Sequence, residues 1–127
     1  MEKPVYIRDP IHGYITLNGL EFALVNTRAF QRLRHVRQLG LTDQVFPGAT
    51  HTRFSHSLGV MHLAERMLER LFVQPSALGI AVEEKDRLIR LMRLAALLHD
   101  LGHPPFSHAL EDLFEPGLGH EAMARSI

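Results

Sequence analysis

Four of the chain's nine histidines fall between His99 and His120, and the first of them is followed at once by a carboxylate, Asp100. This pair comes directly after the apolar run Leu94-Ala95-Ala96-Leu97-Leu98, so it continues the inward face of a helix. Burying an unpaired carboxylate is costly. The C-terminal end of a helix is also the wrong end of its dipole for a negative charge. Two penalties on one side chain call for a compensating cation. A divalent metal held by His99 and Asp100 would supply it; so would a nearby arginine. One helix earlier, His56 shares a stripe with Val60, Leu63 and Met67, which turns it inward, with Arg53 one turn before it. His62 shares its side with Glu65, Arg66 and Glu69 and reads as solvent-facing. A lone inward histidine is more often a hydrogen-bonded core residue than a ligand, but two packed helices could bring His56, His99 and Asp100 around one ion.

Gly102 breaks the second helix, so His103 lies on a turn that Pro104-Pro105 stiffen, and His108 begins the next helix. A histidine beside a metal-bound phosphate can donate a proton or bind phosphate oxygens; the plainer alternative is that both simply hydrogen-bond the loop. His120-Glu121 opens like a zinc-protease motif, but Ala124 stands where its second histidine would be. The sequence has neither a GxxxxGK loop nor a GxGxxG turn.

The elements that must position these groups are mainly helical. Val5, Ile7, Ile11, Ile15 and Leu17 recur at mostly even spacing, which predicts a short ribbon over residues 1–19, with Asn18-Gly19 as a turn signal. Residues 20–127 read as a helical core. Asn26 or Thr27 caps a helix with the stripe Phe30, Leu33, Val36, stopped by Gly40. Long helices are expected from about Thr52 to Phe72 and from about Glu83 to Leu101, then shorter ones near Ser107 to Leu113 and from Gly119 onward. The length, 127 residues, suits one domain, with a last helix still running at Ile127.

Composition narrows the classes. There is no cysteine, which removes disulfides, thiolate metal sites and cysteine nucleophiles. Apolar runs are too short to span a bilayer, and the N-terminus lacks a signal-peptide pattern, so a cytoplasmic location is expected. Basic and acidic residues balance at 14 each, yet residues 1–53 carry a net excess of three positive charges. Twelve of the basic residues are arginine, and Arg28 to Arg37 form either a solvated helix face or a contact for an anion or nucleic acid.

The blocks Arg53-Phe54-Ser55-His56-Ser57-Leu58-Gly59-Val60, His99-Asp100-Leu101-Gly102-His103-Pro104-Pro105-Phe106-Ser107-His108 and His120-Glu121 resemble the HD-domain metal-dependent phosphohydrolases. Within them, Ile7-Arg8-Asp9-Pro10-Ile11-His12-Gly13, the segment from Phe30–Arg34 through Gln38–Gly40, and Phe46-Pro47-Gly48-Ala49 resemble the deoxynucleoside triphosphate (dNTP) triphosphohydrolases. The resemblance implies an HD helical bundle with a short N-terminal ribbon, continued beyond Ile127. It implies a divalent metal (Mn, Fe, Ni, Zn, Co or Mg) on His56, His99 and Asp100, with a fourth ligand, an aspartate, downstream of Ile127. It implies hydrolysis of a dNTP to deoxynucleoside and triphosphate. Arg53 then resembles a phosphate contact, and Gln38 and Leu39 resemble residues near the sugar. His108 resembles the general acid, supported from Glu111 where relatives have aspartate. His103 and His120 resemble phosphate-side histidines. Homo-oligomers and a nucleotide effector are implied too, with residues 28–37 as the candidate contact. The competing readings are an HD hydrolase of another nucleotide or phosphoester, and a catalytically idle nucleotide-binding or assembly module lacking the last metal ligand.

Overall fold

The computed structural model describes residues 3–73, 79 and 81–106. It opens with an antiparallel hairpin of β1 (Val5–Asp9) and β2 (Gly13–Leu17), in which Ile7 faces Ile15 and Val5 faces Leu17. The period of two puts Ile15 and Leu17 in the core and leaves Tyr6 and Tyr14 exposed. At the hairpin tip the Asp9 carboxylate accepts from the backbone N–H groups of Ile11 and His12, both at 2.9 Å. Gly13 follows with φ +77°, a left-handed backbone natural to glycine.

Asn18 does not form a hairpin turn: it caps helix α1 (Gly19–Val25). Its side chain accepts from Glu21 N–H, and the Glu21 carboxylate accepts from Asn18 N–H, each at 2.9 Å. This reciprocal capping box draws Glu21 fully into the interior. Thr27 caps the next helix as the sequence suggests, but α2 (Arg28–Gln31) lasts four residues before a 3₁₀ turn over Arg32–His35 takes over. The stripe Phe30, Leu33, Val36 is buried throughout. Its strict spacing of three matches a 3₁₀ helix, in which side chains three apart eclipse, better than an α-helix. A second 3₁₀ turn covers Thr42–Gln44, and Arg37 forms an isolated bridge with Thr52.

Two long helices, α3 (Arg53–Leu71) and α4 (Val82–Leu98), pack together as the main helical pair. Their inward stripes are displaced from those the periodicity predicts, which are His56, Val60, Leu63 and Met67 on α3 and, on α4, Leu88, Met92, Ala95 and His99 with Ile89, Ala96 and Asp100 adjacent. On α3 the buried positions include Phe54, Leu58, Met61 and Leu68, while Leu63, Met67 and Leu71 are exposed. On α4 the inward line runs through Arg93, Ala96 and Leu97, and Met92 and Ala95 face out. The displacement follows from Arg93, which charge patterning alone does not turn inward. Its guanidinium forks onto Glu21 at 2.7 Å for both nitrogen–oxygen pairs, donates to the Thr16 carbonyl at 2.7 Å, and also pairs with Glu65. The Glu21 hydrogen bond, chiefly, raises the Arg93 pKa despite its burial. Ile15, Leu17, Phe30, Leu33, Phe54, Met61 and Leu97 fill the core around this pair. Phe30 and Phe54 meet edge to face at 5.4 Å between ring centroids.

Candidate metal centre

Helix α4 ends at Leu98, three residues before the expected Leu101. His99 is its C-cap, and Asp100 leads into tight turns closed by Leu101 N–H to the Leu98 carbonyl (3.0 Å) and His103 N–H to the Asp100 carbonyl (3.1 Å). His99 and Asp100 therefore sit on a turn, not on a continuing helix face. The turn is held from outside. Arg32 donates to the His103 carbonyl at 2.9 Å and also to the Leu101 carbonyl. These oxygens would otherwise be orphaned past the helix end. Arg32 thus belongs neither to a solvated face nor to a free anion site. Its neighbours are engaged as well: Arg34 lies 3.6 Å over the Phe54 ring, and Arg37 pairs with Asp43.

Against this turn comes the first turn of α3. His56, His99 and Asp100 each offer one ligand atom, all within 4.8 Å of one another. His56 Nε2 is 3.7 Å from Asp100 Oδ2, His99 Nε2 is 3.3 Å from Asp100 Oδ1, and the two imidazole centroids are 5.3 Å apart. The tautomer of His99 follows from its other nitrogen. Nδ1 lies 2.7 Å from the Ala96 carbonyl, which can only accept, so Nδ1 carries the proton. In the neutral ring the lone pair is then on Nε2, facing a carboxylate oxygen. Two electron-rich atoms at that distance repel unless a proton or a metal ion lies between them. A backbone carbonyl orienting a ligand imidazole in this way is the usual outer support of a metal site. Burial, chiefly, pushes the His56 pKa down; Asp100 opposes this, and His99, Arg53 and His51 reinforce it. The neutral imidazole is the form that binds metal. The donor set, two nitrogens and one carboxylate, therefore fits a divalent ion.

Asp100 also has a protein counter-ion. Arg53 Nη1 donates to Asp100 Oδ2 at 2.6 Å, and the two side chains are 4% and 7% exposed. His103 is buried, with Nε2 3.8 Å from Asp100 Oδ1. Gln38 and Leu39 lie on the adjoining segment: Gln38 N–H donates to the His51 carbonyl at 3.1 Å, and Leu39 is exposed. Gly40 next to them packs against the Phe106 backbone, where φ is +67°. So this segment borders the 103–106 loop at Gly40. His108, Glu111 and His120 lie outside the described residues. Beside His56 opens a cleft of about 470 Å³, walled by Pro10, Ile11 and His12 of the hairpin tip, by His51, and by Ser55 and Val60 of α3. Sequence reasoning passed over His12 and His51. The signal was faint, since neither sits on a periodic stripe.

Matching by family puts these residues in context. Residues 53–127 match the HD domain family, and the chain belongs to it. It is 46% identical over 110 residues to the deoxynucleoside triphosphate triphosphohydrolase SAMHD1 of Bos taurus, covering 87% of this chain and 18% of that protein. It is 45% identical over 127 residues to the uncharacterized protein YwfO of Bacillus subtilis, covering 99% of this chain and 27% of the relative. A crystal structure of a hypothetical protein from Aquifex aeolicus aligns with a TM-score of 0.77 at 44% identity, over 98% of this chain and 30% of that one. The chain thus spans roughly a fifth to a quarter of the curated relatives' length.

Proposed function

We propose that this chain carries the metal-binding half of a phosphohydrolase site that cleaves a dNTP to deoxynucleoside and triphosphate. The observation that carries the reading is the convergence of His56, His99 and Asp100, with His99 Nε2 3.3 Å from an oxygen of a buried carboxylate. These three residues would hold a divalent ion. When bound, such an ion supplies Lewis-acid polarisation of a phosphoryl group. The rest of the work falls to the chain itself. Asp100 brings negative charge that favours a cation, and α3 and the 99–103 turn hold the ligands before any ion arrives, which limits reorganisation. Arg53 and His103, both buried beside Asp100, are proposed to contact phosphate oxygens. The cleft at His56 is in the size range of small-molecule sites. The similarity to SAMHD1 proteins supports dNTP as the substrate. Gln38 and Leu39 are proposed to contact the sugar, His108 to protonate the leaving oxygen with Glu111 behind it, and His120 to face phosphate.

Metal content and turnover of a dNTP panel, with other nucleotides alongside, test this reading. In a longer chain that carries the whole site, Asp100→Ala should lower metal content and abolish turnover, and intact turnover would remove the His-Asp pair from the mechanism. His108→Ala should keep its metal and slow hydrolysis by about 10²-fold or more, the usual size of a general-acid contribution. Loss of metal from that variant would make His108 a ligand instead.

A further inference from the structure

The site geometry assigns Arg53 a task besides phosphate contact: we infer that it is a positioning residue of the metal centre, holding Asp100 Oδ2 so that Oδ1 is presented to the ligand imidazole of His99. The inference rests on the metal-centre reading above.

Asp100 lies just past the C-cap of α4, where helical hydrogen bonding no longer fixes the backbone, and its carboxylate can turn about its last torsion. Arg53 removes that freedom. Its Nη1 takes Oδ2 at 2.6 Å in a place where both side chains are almost wholly excluded from water. The other oxygen, Oδ1, is left 3.3 Å from His99 Nε2 and 3.8 Å from His103 Nε2. Arg53 is itself anchored through its backbone, whose N–H donates to the Val36 carbonyl at 2.8 Å, and it is the first residue of α3. His56 comes three residues later on the same face of the helix. One turn of α3 therefore supplies one ligand directly and orients a second through Arg53. Without the guanidinium, the buried carboxylate is free to rotate toward another donor, which turns Oδ1 away from His99. Lysine at this position would keep the charge but not the planar fork that fixes the carboxylate.

The test is Mn²⁺ affinity by titration calorimetry on the wild-type protein, Arg53→Met and Arg53→Lys, with circular dichroism to confirm that each is folded. Mn²⁺ is chosen because it binds stray imidazoles weakly. Arg53→Met should bind Mn²⁺ about 10- to 100-fold more weakly, the usual loss when a partner of a metal ligand is removed. Arg53→Lys should fall between that variant and wild type. Equal or tighter binding by Arg53→Met would overturn the inference, since repulsion between guanidinium and ion would then outweigh orientation. Should Arg53→Met fail to fold, Arg53→Lys decides: weaker binding supports the assignment, and unchanged or tighter binding overturns it. Wild-type protein that binds no Mn²⁺ would overturn the metal-centre reading and this inference together, whereas wild-type binding with no effect of either substitution would overturn the inference alone.

Discussion

At the scale of single residues, the interior is set by charges that have found partners. Asp100 is the clearest case, because its burial was legible from the apolar run before it while its partner was not. The protonation of imidazoles follows the same logic. His62 sits in ring contact with His12 at 5.4 Å, half-buried instead of solvent-facing as its neighbours Glu65, Arg66 and Glu69 suggested. Burial first, then His12 and Arg66, lower its pKa against the opposing pull of Glu65. A lowered pKa means that the unfolded chain takes up the proton at higher pH than the folded one. The contribution of His62 to stability is then intact above the ordinary imidazole range and lost as pH falls through the lowered folded value. The urea midpoint should accordingly drop between about pH 7 and about pH 5, and His62→Gln should flatten part of that drop. An identical pH slope in the variant would show that His62 is not among the groups responsible. His56, shifted in the same direction, accounts for a further part.

At the scale of elements, the hairpin and α3 are fitted to one another at a single glycine. A Cβ built on Gly59 would lie 3.0 Å from His12 Nε2 and 3.3 Å from its Cδ2. In an exposed helix, replacing glycine by alanine gains roughly 1 kcal/mol. Here the gain is opposed by the His12 imidazole, which must give by a few tenths of an ångström and which also walls the cleft beside His56. Gly59→Ala should therefore stabilise the protein distinctly more in a His12→Ala background than alone, as a double-mutant cycle of urea unfolding would read. Additive effects would mean that the His12 ring yields freely. The helices themselves were legible because amphipathic periodicity is local. What periodicity misplaced were the inward stripes of α3 and α4 and the end of α4. The turn that follows α4 is held from a segment about 70 residues away, where Arg32 donates to the carbonyls of Leu101 and His103.

At the scale of the whole molecule, the Glu21–Arg93 pair ties together the hairpin, α1, α3 and α4. Glu21 is fully buried, and Arg93 reaches Thr16, Glu21 and Glu65 at once. Removing one member strands the other charge. Arg93→Met should cost about 3–5 kcal/mol in urea unfolding, and adding an apolar replacement for Glu21 should recover much of that loss. A cost below about 1 kcal/mol for Arg93→Met would show that the pair is solvated in practice.

The sequence by itself determined the ribbon, the two long helices, a cap at Asn26 or Thr27 and the blocks that resemble the HD family, because each is written in spacings of two to seven residues or in contiguous motifs. Only the tertiary structure decided which charge answers which. Arg53 meets Asp100 across 47 positions and Arg93 meets Glu21 across 72. A buried charge demands a counter-charge, but packing alone selects among the chain's twelve arginines, since helical periodicity carries no information over such distances.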